Sequence, residues 1–267
     1  MQSAYIKILG CGNSAGVPAV GNYWGACDPE EPKNVRMRPC ALVHVAGRNL
    51  VIDTGPDFRA QMNCYDVRHI DGVFFTHAHN DHVNGIDDLR VLAHIQKTRI
   101  PVYGMSDTLD MLAGRFPSLF VGSPDKLYEP VVRPHSVFKH ACGCVQKIAG
   151  IPCVPFMQDH GSCVSLGLRV GNVAYSTDMV DLDDQALSTL SGIHTWIVDG
   201  AGYQWIENPA HASLEKIYAL NRHIKASRVI LTHLSFGMDY ATLCDLLPKG
   251  YEPAWDGMVI ALDDLGD

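Results

Sequence analysis

Residues 74–85 read FFTHAHNDHVNG, and within them three histidines and an aspartate fall inside six positions, His77-x-His79-x-Asp81-His82, directly behind an apolar run. A single histidine in such a place is ordinarily a loop residue bonded to backbone. Four metal-competent side chains at this spacing ask for another reading. In an extended segment residues i and i+2 point the same way, so His77 and His79 can address one ion while Asp81 and His82 turn toward a second. Imidazole and carboxylate without thiolate suit Zn²⁺, Mn²⁺ or Fe ions, and the spacing does not choose among them.

Two more apolar runs end as this one does. GVFFT (72–76) leads into His77, VAYST (173–177) into Asp178 and RVILT (228–232) into His233. If these strands lie side by side, their ends converge on one edge of a sheet. A zinc-type ion with two nitrogen ligands needs a third, and His160 in MQDHGS is the best candidate outside the cluster. The resulting sets are His77, His79, His160 and Asp178 for one ion, and Asp81, His82, His233 and a shared Asp178 for the other. Two divalent ions outweigh the two carboxylates, and the surplus positive charge favours a bound hydroxide and an anionic substrate. Taken singly, His160, Asp178 and His233 fit a backbone-bonded residue at a strand end equally well.

The 267 residues suffice to bury roughly 70–75% of the unfolded surface. No Pro/Ser-rich or charged linker cuts them, so residues 1–267 are expected to form one domain. Lys and Arg number 21 against 29 Asp and Glu, a net charge of -8. Extended nucleic acid, which needs a basic footprint, is therefore not an expected partner. The nine cysteines form no dense framework, and MQSAYIKILG lacks a basic region followed by a long apolar one. These features predict a reduced, cytoplasmic protein without a membrane span.

Strand-like runs recur at 5–9, 41–45, 49–53, 72–76, 165–170, 173–177, 195–199, 228–232 and 258–262. Helical spacing covers 57–65, 107–116, 181–190 and 210–224. In the last, Asn208 can cap, Pro209 suits the first helical position, and Leu214, Ile217, Leu220 and Ile224 repeat on one face. Sheets covered by helices follow. Region 10–40, rich in Gly and Pro and without period, is expected to be a long loop of the functional kind.

In order along the chain, GCGNSAGVPAVG, THAHNDHVNGI, YSTD, NPAHASLEKIYALNRHIKASRVILTHLS and WDGMVIAL resemble the phosphodiesterase branch of the metallo-β-lactamase-fold hydrolases, with the phosphoribosyl cyclic phosphodiesterases as the most similar group. The resemblance runs from Ile6 to about Leu262. It implies an α/β fold, an αββα sandwich with a dinuclear site at one edge of two facing sheets, and it puts His160, Asp178 and His233 on ligand positions. Class B β-lactamases commonly place a cysteine in the second site, so Asp178 argues against antibiotic hydrolysis. The resemblance implies two divalent ions, Zn or Mn with Fe as a third option. It implies a small anionic phosphodiester substrate, and often a homodimer.

His211 matches a family histidine that helps to protonate the leaving group. Its place in the first turn of the helix expected after Asn208-Pro209 is independently suited to an anion. The expected reaction has a hydroxide shared by the ions attack phosphorus in line with the leaving oxygen, Asp81 orienting it and His211 supplying the proton. Asp53 in VIDTG matches a family aspartate and is read as holding a ligand or loop by hydrogen bonds, with a plain helix cap as the ordinary alternative. Backbone amides around Gly12, Asn13 and Ser14 either border the substrate or form a simple tight turn.

One departure stands out. Relatives carry a structural zinc on a Cys-rich loop and a later histidine. Here the loop keeps only Cys27, and Phe236 holds the histidine's position, so that zinc is expected to be absent, with Trp24 packed on Phe236. Competing functions are a lactone or thioester hydrolase of the same fold, a tRNA-processing nuclease, and a non-catalytic metal- or ligand-binding module.

Overall fold

The computed structural model describes residues 4–123 and 127–263. Its strands are β1 (Tyr5–Gly10), β2 (Cys40–Val45), β3 (Arg48–Ile52), β4 (Gly72–Phe74), β5 (Ile100–Gly104), β6 (Val132–Ser136), β7 (Gln146–Ile148), β8 (Ile151–His160), β9 (Cys163–Val170), β10 (Val173–Ser176), β11 (Thr195–Asp199), β12 (Arg228–Thr232), β13 (Tyr251–Pro253) and β14 (Val259–Ala261). Between them lie α1 (Phe58–Cys64), α2 (Asn80–Val83), α3 (Leu89–Gln96), α4 (Ser106–Arg115), α5 (Pro117–Phe120), α6 (Asp184–Leu190), α7 (Leu214–Ile224) and α8 (Tyr240–Leu246). The strands form two seven-stranded sheets, β14-β1-β2-β3-β4-β5-β6 and β13-β12-β11-β10-β9-β8-β7.

Alternation along each strand decides the layering, because successive side chains leave a sheet on opposite faces. In β2, Ala41, Val43 and Val45 enter the core between the sheets together with Ile197 of β11 and Ile230 of β12. Cys40 and Leu42 point the other way, into a core with Phe58, Leu89, Leu92, Leu109 and Leu112 from α1, α3 and α4. On the far side Trp196, Val198, Val229 and Leu231 pack on Ala186, Leu190, Ile217 and Leu220 from α6 and α7. Helices thus cover the outer face of each sheet, giving the αββα sandwich.

The two sheets repeat one plan. Pairing is antiparallel from β14 through β3 and parallel from β3 to β6. In the second sheet it is antiparallel from β7 through β10 and parallel from β10 to β13. Ligand sites of open α/β sheets lie off the carboxyl ends of parallel strands. Here both sheets present such ends along one edge. There Gly12 bridges Leu234, and Leu234 N–H donates to Cys11 O at 2.7 Å, so the loops after β1 and β12 are joined.

Region 10–40 holds a short 3₁₀ turn at Pro32–Asn34 and two isolated bridges, Val17 with Arg36 and Ala19 with Tyr23, but no longer element between β1 and β2. It is ordered by a buried cation instead. Arg36 is 1% exposed. Its Nη1 donates to Ser235 O at 3.2 Å and its Nη2 to Asn34 Oδ1 at 3.0 Å. Arg36→Ala would remove two charge-assisted hydrogen bonds, at about 1.5–3 kcal/mol each, while Asn34 Oδ1 keeps the Tyr240 N–H and Ser235 O keeps the Met238 N–H. A lowered urea midpoint with unchanged m-value is the expected result.

The aromatic that meets Phe236 is Tyr23, edge-on at 5.1 Å, and not Trp24, whose indole N–H donates to Asn22 Oδ1. Gly25, at φ 59, lets the backbone run against Phe236. Tyr23 lies over Phe236 at the surface, exposed on its other side, while Trp24 is half-buried. Another expectation also changes: α7 starts at Leu214 rather than Ala210. Its cap is Ser213, which accepts from Lys216 N. Asn208 caps only a turn, its Oδ1 accepting from the N–H groups of Ala210 (2.9 Å) and His211 (3.0 Å).

Candidate metal centre

The ligand-bearing runs belong to different sheets, so their ends do not lie side by side as first expected. His77 follows β4 in the first sheet, while Asp178 and His233 follow β10 and β12 in the second. The site is assembled across the gap. After β4 the chain stays extended through His79 (ψ 153) and then turns into α2. His77 and His79 accordingly face one way, and Asp81 and His82 are carried round to the other. Potential ligand atoms of His77, His79 and His160 lie within 4.8 Å of one another, as do those of Asp81, His82 and His233.

Asp178 stands between the two groups. Its Oδ1 is 3.5 Å from His160 Nε2. Its Oδ2 is 3.0 Å from His82 Nε2 and 3.6 Å from His233 Nε2. The far nitrogens are held in place, which fixes tautomer and ring orientation. His160 Nδ1 is 2.7 Å from Ala210 O, His82 Nδ1 2.7 Å from Asp53 Oδ2, and His77 Nδ1 3.0 Å from Thr76 Oγ1. His77 Nε2, buried, has no hydrogen-bond partner. Burial and the neighbouring His82 hold its basicity well below the usual imidazole range, as suits a neutral ligand. Burial opposes ionisation of Asp178, but His233 and His82 more than offset it and keep the carboxylate well below its ordinary range. An orphaned imidazole nitrogen converging with carboxylates fits a divalent cation.

Asp53 is buried beneath this cluster. Its Oδ1 accepts from Thr76 N at 2.9 Å and its Oδ2 from Thr76 Oγ1 at 2.8 Å, besides orienting His82. Asp53, Asp178 and His233 all have left-handed backbone, φ 62, 52 and 59. Such conformations cost of order 1–3 kcal/mol each and gather at functional sites. Gly55 is needed next to them. A Cβ there would lie 2.1 Å from Asp81 O, a backbone atom with nowhere to go. Gly55→Ala should push the loop carrying Asp81 and His82 outward and weaken metal binding by roughly 10–100-fold, read as metal retained after dialysis.

His211 lies beside these groups, its ring centroid 5.3 Å from that of His160 and 5.2 Å from that of His233. It is not in the first turn of a helix, so the dipole argument for an anion there does not apply. Asp199, at the end of β11, is its partner instead and favours the cationic imidazole: its Oδ2 is 2.6 Å from His211 Nδ1. Burial pulls the imidazole down, yet Asp199 outweighs it and pushes His211 up to about 9. Asp199 was missed in the sequence although TWIVD ends in an acid just as VAYST runs into one. Arg115 was also missed; from the last turn of α4 its guanidinium donates to Ala78 O (2.7 Å), Asn80 Oδ1 (2.6 Å) and Asn84 Oδ1 (2.8 Å), clamping the metal loop.

Gly12, Asn13 and Ser14 lie at the same edge. The amide of Gly12 donates to Met37 O, that of Asn13 to Leu234 O, and that of Gly16 to Asn13 O. The Ala15 amide donates to Asn13 Oδ1. The amides of Gly12, Asn13, Ala15 and Gly16 are thus committed within the protein, as in a tight turn. Among the described residues no helix is long and apolar enough to cross a membrane.

Residues 48–234 match the beta-lactamase superfamily domain. With its sandwich and its histidine–aspartate centre, the chain belongs to the beta-lactamase superfamily, in its metallo-β-lactamase fold. It is similar to a solved diphosphatase from the PhnP family, at 28% identity and TM-score 0.84, covering 98% of each chain. Zn²⁺-bound PqqB from Methylobacterium extorquens shares the fold at 18% identity and TM-score 0.72, with 97% of this chain and 100% of that one covered. An octanoyltransferase of Porphyromonas gingivalis is 30% identical over 97% of this chain, which spans 52% of that protein.

Proposed function

We propose that the protein is a two-metal phosphodiesterase that hydrolyses a small anionic phosphodiester, a cyclic phosphate or a nucleotide-like ester. The observation that carries the reading is the His211–Asp199 pair at 2.6 Å beside the two ligand groups. An imidazole pushed up to about 9 is protonated at neutral pH. An alkoxide leaving from phosphorus needs that proton, whereas a thiolate or carboxylate does not. The ions, Zn²⁺ or Mn²⁺, would be held by His77, His79 and His160 on one side, by Asp81, His82 and His233 on the other, and by Asp178 between. When bound they supply Lewis acidity and water of lowered pKa.

The chain's own residues do the rest. Asp178 and Asp81 set the local charge so that two divalent ions leave a net positive site for a phosphate. Asp53, Thr76 and Ala210 hold the imidazoles with their Nε2 atoms inward. His211 holds a proton at Nε2 while Nδ1–H is donated to Asp199. The likeness to the PhnP-family diphosphatase supports phosphorus as the reacting centre. The acidic balance of the chain supports a small substrate over extended nucleic acid.

One finding favours a second reading, acyl thioester hydrolysis: the match to half of a protein named for octanoyl transfer. The test is hydrolysis of a 2′,3′-cyclic nucleotide, an aryl phosphodiester and an octanoyl thioester by protein stripped of metal and reloaded with Mn²⁺ or Zn²⁺. Metal-dependent diester cleavage with monoesters spared is expected. Thioester cleavage alone, with both ions bound, would transfer the assignment to the second reading.

A further inference from the structure

Behind Asp178 lies a buried polar cluster that touches no reacting atom. Gln158 on β8 and Ser165 on β9 are directly opposed in the ladder. They are 1% and 0% exposed. A carboxamide in such a place is costly unless all its groups are bonded, and here they are. Gln158 Nε2 donates to Ser165 Oγ and to Thr177 O, each at 3.0 Å. Its Oε1 accepts from Ser176 Oγ. Ser165 Oγ donates in turn to Asp178 O at 2.7 Å. Residues 176, 177 and 178 are therefore each held by a side chain of this pair.

The held residues are those that need it. Asp178 is left-handed at φ 52, a conformation an aspartate leaves unless its surroundings over-determine it. In that turn its two oxygens part, Oδ1 toward His160 and Oδ2 toward His82 and His233. The next residue of β9 reaches the opposite sheet, Leu166 N–H donating to Thr76 O at 2.9 Å, immediately before His77. One two-residue segment, 165–166, so sets the Asp178 turn in register with the His77 loop.

We propose that Gln158 and Ser165 are positioning residues for the metal centre: they lock the 176–178 turn so that one carboxylate is shared between the two ligand groups. The inference rests on the two-ion reading of the site. It is tested with Gln158→Met, which keeps length and removes every polar atom, and with the milder Ser165→Ala, in the full chain loaded with Mn²⁺. Metal content, stepwise affinity and the electron paramagnetic resonance spectrum are recorded.

The wild-type chain should bind two ions per molecule with an exchange-coupled spectrum. Gln158→Met should retain its circular dichroism and weaken one binding step by roughly 10-fold or more, with the coupled signal replaced by that of isolated Mn²⁺. Ser165→Ala should shift both readouts in the same direction by less, and it decides the matter if Gln158→Met does not fold. Two folded variants with coupling and both affinities intact would overturn the inference, as would a wild-type chain that takes up a single ion. Absence of diester cleavage while the coupled signal and its loss are seen would sink the reaction reading alone.

Discussion

His211→Asn leaves the bound metal unchanged and lowers diester turnover by roughly 10²–10⁴-fold. The asparagine fills similar space and can still bond Asp199, so the change removes the proton and little else. The loss should depend on the leaving group. An alkyl alkoxide needs protonation and shows the full effect, whereas a nitrophenolate leaves unaided and shows little. The pH profile gives the sign. His211, pushed up to about 9 by Asp199, is the proton donor below its pKa and is lost above it. Bound cations pull that value down, so the basic limb of kcat/KM for an alkyl diester falls at or below about 9. In His211→Asn this limb disappears. A variant that sheds metal instead would make His211 a ligand.

Asp178→Asn empties the site. Asparagine tolerates the left-handed turn, so the backbone has little reason to move, and the changed quantity is the charge shared by both ligand groups. Removing residues that merely orient ligands typically costs 10–100-fold in metal affinity, and removing a shared ligand should exceed roughly 100-fold. Thermal shift reads it without any assumption about substrate. In the wild type, Zn²⁺ at about 100 times its dissociation constant stabilises the fold by about 2.7 kcal/mol. The variant at the same concentration should show almost none of this. Equal shifts in both proteins would remove Asp178 from the ligand set.

The histidine cluster was legible because its chemistry is local: extended spacing followed by one helical turn is enough to send two pairs of ligands in two directions. The apolar runs into Asp178 and His233 were legible for the same reason. Which sheet each run joined was not, since an apolar run pairs equally well with any neighbour of its kind and nothing within it chooses between β3 and β5 for β4, or β11 for β10 and β12. Most of the strands passed over carry proline, the exception being the three-residue β7 (QKI). IPVYG (β5), VRPHS (β6) and IPCVPFMQDH (β8) all contain it, and proline lowers strand expectation because it cannot donate to the ladder. Beyond Cys153, β8 has no β7 partner, so Pro155 loses no ladder bond on that side.

Asn208-Pro209 misled in the opposite direction. The pair suits a helix start, but the asparagine oxygen is consumed by a turn and the helix waits for Ser213. That displacement matters chemically, because it moves His211 from a helix end, where a cation is disfavoured, to a carboxylate, where it is favoured. Asp199 could not be weighed without knowing that β11 lies between β10 and β12.

The division of ligands between the sheets also bears on how the protein comes to hold its metal during synthesis. His77, His79, Asp81 and His82 leave the ribosome early, while His233, which meets Asp81 from 152 positions further along the chain, leaves late. A nascent chain can offer the first cluster alone, a weak and exchangeable chelator. The full centre forms only once β12 has docked beside β11. Capture of metal at the complete centre would therefore report that both halves of the sandwich are in place.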